Sequence, residues 1–219
     1  MPEQEIPGLE FPDVGATLWF LDQDGKKVRI EIAMEEDYEN PLTEDSDYTG
    51  EIFSFCSRHN NFLDLVNKGC PTKESARNWL EDEYGPEGLG WCLLSYFEHG
   101  NCIWFPWTQP KPPGTEGDFR WDGTSFAGVW RTPKELRKIT QPEEAHRELI
   151  KERCIAACKL YTSYCNGEVY CFSIKKEDCE DPCSNGEFYS LEYLKETLKE
   201  ELLELGVTTL TSREEPNDD

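Results

Sequence analysis

Hydrophobic and polar positions alternate over short stretches in the first two thirds of the chain, a pattern typical of β-strands. Residues 17–21 and 28–32 alternate on either side of Asp24-Gly25, a dipeptide that favours tight turns, and they predict a β-hairpin. Short apolar and aromatic runs at residues 52–56, 91–97, 102–105, 126–130 and 169–174 predict further strands. Glu98-His-Gly-Asn101 predicts a hairpin turn between the second and third of these runs.

Three segments have the periodicity and end signals of helices. Thr72 is a candidate N-cap for a helix over residues 72–84, and Pro142 begins a long helix that ends at Asn166-Gly167. The last helix carries a leucine stripe and stops at Gly206; the stripe consists of Leu191, Leu194, Leu198, Leu202 and Leu205.

Strands come first and helices are interspersed late, which predicts the α+β class: an antiparallel sheet with a long helix and a C-terminal amphipathic helix. We expect a flexible arm over residues 1–15 and a single domain over residues 16–206 that carries an acidic segment at 31–51. An acidic, disordered tail is expected over residues 207–219.

Charge changes this picture most. The chain has 22 Lys and Arg against 45 Asp and Glu, a net charge of −23 in 219 residues. A magnitude of about 2–8 is enough for the solubility of a small domain, so the surplus indicates a surface for a cationic partner. It argues against direct binding of nucleic acid or of an anionic membrane, because both are bound through Lys and Arg. We therefore expect a basic host protein as the partner.

The sequence also predicts where the protein acts. It has no apolar run of the length that a membrane span needs, and its first residues lack the pattern of a signal peptide. We expect a location in the host cell cytoplasm, where the ten cysteines would be reduced thiols.

The acidic residues are concentrated in two places. No Lys or Arg occurs from Ile30 to Ser57, and nine carboxylates of this stretch form the predicted partner-binding set: Glu31, Glu35, Glu36, Asp37, Glu39, Glu44, Asp45, Asp47 and Glu51. The last helix has glutamates at i+4 spacing, with Lys195 and Lys199 beside them as ordinary pairing partners. These glutamates are Glu192, Glu196, Glu200 and Glu204.

The order of several short motifs resembles a family of uncharacterised proteins carried by bacteriophages and plasmids. The motifs are Cys56-Ser-Arg-His59, Tyr96-Phe-Glu-His-Gly100, Arg120-Trp-Asp-Gly123, Tyr164-Cys-Asn-Gly-Glu-Val-Tyr170 and Cys183-Ser-Asn-Gly-Glu-Phe-Tyr189. They are similar to the Cys-x-His-Arg-Arg, Tyr-x-His-Ser-Gly, Trp-Asp-Ser-Gly, Tyr-Leu-x-Gly-x-Val-Tyr-Gly and Cys-Trp-Gly-Phe-Tyr-Gly motifs of that family. The Ser of the second motif and the Trp of the last are missing here, and one arginine of the first pair remains, Arg58. The resemblance implies a mobile-element origin.

Small acidic phage proteins are often inhibitors of host defence. We therefore expect a phage-encoded inhibitor of a nucleic-acid-binding defence protein, a CRISPR effector or a restriction enzyme. It would act as an acidic mimic of nucleic acid by stoichiometric binding, without a cofactor. A virion or replication accessory protein, whose acidity serves only solubility or a basic partner, is the other binding function considered.

Two chemical alternatives use the cysteines. In an enzyme, Cys183 would be the nucleophile, His99 (or His59) the base and Asp122 the group that orients it. Zn²⁺ could be held by four thiolates, although the Cys-x-x-x-Cys spacing is not the usual Cys-x-x-Cys, so we expect no metal. These four are Cys154, Cys158, Cys179 and Cys183. The segment Trp104-Phe-Pro-Trp107 is either core packing, which is favoured, or an exposed anchor for a partner.

Overall fold

The computed structural model describes residues 14–42, 49–111, 122–138, 142–177, 179 and 182–214, with the backbone alone over 208–214. The elements in chain order are β1 (Thr17–Asp22), β2 (Lys27–Met34), β3 (Glu51–Ser54), α1 (Lys73–Tyr84), β4 (Trp91–His99), β5 (Asn101–Pro106), β6 (Gly123–Arg131), a 3₁₀ turn (Lys134–Arg137), α2 (Glu143–Cys165), β7 (Tyr170–Lys176), β8 (Cys183–Phe188), α3 (Leu191–Glu204) and β9 (Val207–Glu214). Helices are mixed with antiparallel sheets, which confirms the α+β class. None of the helices in the described part of the chain combines the length and apolarity that a membrane crossing needs.

The chain folds into two compact units. The terminal unit comprises Met1–Glu39 and Gly167–Asp219, and the central unit comprises Asn40–Asn166. This differs from the single domain expected over residues 16–206, because strands from the two ends of the chain pair with each other: β2 pairs with β7, and β1 with β9. The acidic segment at 31–51 is consequently divided between the two units.

The terminal unit is a five-stranded antiparallel sheet in the order β8-β7-β2-β1-β9. The predicted β1–β2 hairpin is present, and the Asp22 carboxylate accepts the backbone N–H groups of Asp24 and Lys26 within its turn, each at 2.9 Å. Helix α3 begins after the N-cap Ser190 and covers one face of this sheet. The predicted stripe is the contact surface, since Leu194, Leu198 and Leu202 are all fully buried.

Two strands of this sheet were not predicted. β8 has exposed residues up to Phe188, so no alternation marks it. The disordered tail expected from residue 207 instead begins with β9, which pairs with β1 from Asp22↔Val207 to Thr17↔Glu214. β9 pairs with the edge of β1 that β2 does not occupy, and this pairing satisfies the backbone N–H and C=O groups of β9. The two strands are far apart in the sequence, so the local pattern of residues 207–214 does not predict the strand. Residues 1–13 of the predicted arm and 215–219 of the predicted tail lie outside the described residues.

The central unit is a four-stranded antiparallel sheet in the order β3-β6-β4-β5, with one helix on each face. Neighbouring residues on one strand contact different helices. Leu94 belongs to the cluster with Ile150 of α2, and Leu93 belongs to the cluster with Leu80 of α1. The predicted N-cap of α1 is confirmed as a capping box between Thr72 and Ser75.

Gly128 gives the first testable prediction. A Cβ on this β6 residue would lie 2.3 Å from the Phe53 carbonyl oxygen on β3 and 3.1 Å from the Trp104 ring. Because backbone cannot move aside as a side chain can, we expect Gly128→Ala to lower the free energy of unfolding by about 1–3 kcal/mol. Chemical denaturation checks this, with the exposed Ser125→Ala on the same strand as the control. Equal stability of the two variants would contradict the packing described here.

Candidate functional site

Negative charge is distributed unequally between the two units. The terminal unit has 8 Lys and Arg against 26 Asp and Glu, a net charge of −18 in 92 residues. The central unit has 14 against 19, a net charge of −5 in 127 residues. Most of the charge that characterises the whole chain is therefore carried by the smaller unit.

Helix α3 presents a ridge of carboxylates to the solvent. Its four members are exposed and lie at i+4 spacing, about 6 Å apart along the helix axis: Glu192, Glu196, Glu200 and Glu204. Lys195 and Lys199, the pairing partners that the sequence predicts, are half-buried. Within the described residues, however, no Lys or Arg nitrogen lies within 4 Å of the ridge carboxylates. Like charges at this spacing mildly destabilise a helix, so intrinsic helix stability does not account for the ridge.

The terminal-unit part of the predicted acidic segment is mostly exposed. Glu36, Asp37 and Glu39 are exposed, and Glu35 is half-buried, with its carboxylate 3.4 Å from the Asp37 backbone nitrogen. Glu31 differs, because its carboxylate forms an ion pair with Arg29 on the sheet. Glu36, Asp37 and Glu39 are therefore the members best placed for a partner.

In the part of the acidic segment that belongs to the central unit, Glu51 has a structural role. Glu51 is only 7% exposed, and its carboxylate lies 3.2 Å from Arg131, its cross-strand neighbour on β6. It joins β3 to β6 and is not on the surface that a partner would contact. Glu44, Asp45 and Asp47 lie outside the described residues.

Two of the motifs singled out in the sequence meet in the central unit near the β4–β5 hairpin. The turn after β3 supplies Cys56, Arg58 and His59, and β4 supplies Tyr96 and Glu98. The Nη2 atom of Arg58 lies 3.8 Å from the Glu98 carboxylate, and the His59 ring lies edge-on to Tyr96, with centroids 5.2 Å apart. We call these five residues the hairpin cluster.

The Cys56 thiol lies in an electropositive environment. Hydrogen bonds from the backbone and the guanidinium of Arg58 hold the pKa of Cys56 below its usual range. The backbone N–H of Cys56 donates to the Ser54 hydroxyl at 3.0 Å, which fixes the turn. A partly exposed thiol with a stabilised thiolate form is typical of reactive cysteines.

His59 supplies an imidazole in the same cluster. Its Nδ1 lies 2.7 Å from the hydroxyl of the fully buried Ser54, and its ring also lies edge-on to Trp104. Burial lowers the pKa of His59, and the neighbouring Arg58 lowers it further. The ring is therefore neutral at pH 7 and has the protonation state of a general base.

Two further thiols lie beside the cluster. The Cys102 and Cys165 thiols hydrogen-bond each other, which raises the pKa of Cys102 and lowers that of Cys165. The Asn166 side chain bonds both backbone groups of Cys102, at 2.8 and 3.0 Å, and thereby holds the end of α2 against β5.

The structure brings together two members of the predicted catalytic set. His99 Nδ1 lies 3.0 Å from the Asp122 carboxylate, whereas Cys183 belongs to β8 of the terminal unit. The proposed zinc ligands are likewise divided between the units: Cys154 and Cys158 are buried on α2, and Cys179 and Cys183 are exposed in the terminal unit. The described residues contain no group of three or more His, Cys, Asp or Glu placed to hold a metal ion.

Sequence reasoning did not identify Cys56 and Arg58 as a functional pair. Their signal was the segment Cys56-Ser-Arg-His59, which puts a cation two residues from a thiol. Comparisons with protein-family models, with curated proteins and with solved structures give no match for this chain.

The shifted pKa of His59 predicts a pH dependence of stability. Between the ordinary pKa of about 6.5 and the lower pKa in the folded state, the unfolded chain binds more protons than the folded one. Stability therefore falls as the pH drops below about 6.5. We expect His59→Asn to reduce this loss in denaturant titrations between pH 7 and 5, relative to the parent chain. His99→Asn is the comparison: a protonated His99 ring pairs with the Asp122 carboxylate 3.0 Å away, so this variant should not reduce the loss. An equal reduction in both variants would contradict the assignment.

Proposed function

We propose that this chain is a phage-type inhibitor of a host nucleic-acid-binding defence protein, either a CRISPR effector or a restriction enzyme. It acts by binding, with the carboxylates of the terminal unit in place of nucleic-acid phosphates. The observation that carries this proposal is the charge of −18 on the terminal unit, together with the exposed ridge of α3.

The physical basis is the charge of the natural ligand. Duplex DNA has one negative charge per about 1.7 Å of axis, and proteins bind it through Lys and Arg. The ridge carboxylates have no ion pair to break among the described residues, so a cationic groove can contact them directly. Opposite charges also increase the rate of encounter, most strongly at low salt.

Glu36, Asp37 and Glu39 add three exposed carboxylates to the same unit. Inhibition by such a surface requires only occupancy of the groove, so it needs neither a cofactor nor a chemical step. The partner is accordingly a basic protein, and nucleic acid is a competitor.

Neutralisation of the ridge tests this function. In bacteria that carry a restriction or CRISPR system, we expect the parent chain to raise the plaque count of a targeted phage at least tenfold. Replacement of Glu192, Glu196, Glu200 and Glu204 by Gln removes four charges and is expected to abolish most of this increase.

The matched control removes four exposed acidic charges from α1 in the central unit: Glu74, Glu81, Asp82 and Glu83, replaced by Gln or Asn. We expect this variant to keep its effect on plaque count. If both variants lose protection equally, the loss results from the lower net charge and not from the position of the ridge. Protection that survives in the ridge variant and in the triple variant of Glu36, Asp37 and Glu39 would exclude the proposed surface.

A second candidate function is thiol chemistry at the hairpin cluster. The specific observation in its favour is the lowered pKa of Cys56, caused by Arg58, in the same turn as the imidazole of His59. The nucleophile in this proposal is Cys56 of the central unit, whereas the sequence pattern predicts Cys183 with His99 and Asp122 for the enzyme alternative. A nucleophile, a base and a nearby guanidinium are the groups that acyl or alkyl transfer to sulfur requires.

Alkylation rates test this environment. We expect iodoacetamide at pH 7.5 to modify Cys56 faster than Cys171, whose pKa is raised by burial and by Glu35. Arg58→Gln should slow the Cys56 reaction severalfold, and Lys68→Gln serves as the control, with rates read by peptide mass spectrometry. If Arg58→Gln has no effect, the guanidinium does not activate this thiol. Full phage protection by Cys56→Ala and by Cys183→Ala would separate the inhibitor function from catalysis.

A further inference from the structure

The central unit contains a cavity of about 640 Å³ that neither the acidic surface nor the hairpin cluster uses. Its lining comes from α1, from β4, from the segment after β5 and from α2. The volume is within the range of about 300–1,000 Å³ that is usual for small-molecule sites.

One wall of the cavity is aromatic. Within the segment Trp104-Phe-Pro-Trp107, Trp104 is core, with 3% of its surface exposed, but Trp107 is 46% exposed and lines the cavity. The Arg77 guanidinium lies over the Trp107 ring, 5.7 Å from its centroid, and also lines the cavity. This pair presents a flat surface on which a second planar group can stack.

The floor is apolar. Leu93 and Cys154 line it and are buried, and burial raises the pKa of the Cys154 thiol, so this side chain is neutral. Cys92 lies beside them and is half-buried. A ligand that reaches this floor must therefore present an apolar surface to it.

The cations of the cavity are grouped, and each is paired with a carboxylate. Arg77, Arg147 and Lys151 line the cavity, and their partners are Glu87, Glu143 and Glu148. Arg77 is held by the Glu87 carboxylate at 2.6 Å, and Arg147 donates to the Glu87 carbonyl oxygen at 2.8 Å.

Arg147 and Lys151 are one helical turn apart on α2, and each is oriented by a carboxylate of its own helix: Glu143 for Arg147 and Glu148 for Lys151. Their side chains remain 41% and 45% exposed, so both can still bind an anion. Guanidinium and ammonium groups placed together favour carboxylate, sulfonate or phosphate groups.

We propose that this cavity binds a planar aromatic anion, with its ring stacked beside Trp107 and its anionic group at Arg147 and Lys151. Other classes fit less well. An aliphatic anion would leave the exposed part of the Trp107 side chain uncovered, and a neutral aromatic ligand would not use the exposed cationic groups of Arg147 and Lys151. Nucleotides and aromatic acids share the required chemistry.

Calorimetric titration of the full chain tests the site with naphthalene-2-sulfonate as the aromatic anion. We expect saturable binding at one site, at least tenfold tighter than that of the neutral naphthalene-2-methanol and than that of methanesulfonate. A second arm uses AMP: tighter binding than the sulfonate assigns nucleotides as the natural class, and weaker binding assigns aromatic acids.

Variants locate the site. Trp107→Ala should weaken sulfonate binding at least fivefold, while Trp107→Phe keeps most of it. Arg147→Gln combined with Lys151→Gln should remove the preference for the anion and leave binding of the neutral analogue unchanged. The exposed Tyr193→Ala of the terminal unit is the control and should have no effect.

Equal affinity of the parent chain for naphthalene-2-sulfonate and for its neutral analogue would overturn the proposal. So would absence of binding up to millimolar concentration, or a loss in Tyr193→Ala as large as that in Trp107→Ala. Circular dichroism of each variant confirms its fold, and both replaced regions are partly exposed, so folding should persist.

Discussion

Burial of apolar side chains between α3 and the sheet is the interaction on which the terminal unit depends, because it must outweigh the repulsion within a net charge of −18. The unit folds because its apolar residues lie on one side of each element. α3 buries Leu194, Leu198 and Leu202 against the sheet and directs its glutamates outward. Neighbouring ridge charges are about 6 Å apart, which is less than the Debye length of about 8 Å at physiological salt, so screening does not remove their repulsion. A partner that supplies cations would remove it, which is why we regard the charge as a binding feature.

The central unit uses its charges differently. Its cations are placed in local pairs, such as Glu51 with Arg131 across two strands and Arg147 with Glu143 along α2. The same unit holds the hairpin cluster, in which the Arg58 guanidinium stabilises the thiolate form of Cys56, and a cavity lined by three ion-paired cations. Both units are net negative, at −18 and −5, and the larger charge is on the unit that we propose as the inhibitory surface.

Local signals predicted the elements that depend on neighbouring residues. Asp24-Gly25 located the β1–β2 turn, Thr72 located the start of α1, and the leucine stripe identified the buried face of α3. The elements and contacts that the local pattern did not predict depend on pairing between residues far apart in the chain. β9 forms a strand by pairing with the edge of β1 that is not paired with β2. The burial of Glu51 depends on its cross-strand neighbour Arg131, 80 residues later in the chain. The acidic segment looked continuous in the sequence, but the fold assigns its halves to different units. Likewise, nothing local shows that Tyr96 and His59 meet.

The most direct measurement of the central claim is the salt dependence of binding to the purified CRISPR effector or restriction enzyme that the chain is proposed to inhibit, with and without duplex DNA. If the terminal unit replaces nucleic acid, the association constant should fall at least tenfold between 50 and 200 mM NaCl, and duplex DNA should displace the chain. An association constant that is independent of salt, with no displacement by DNA, would contradict the account.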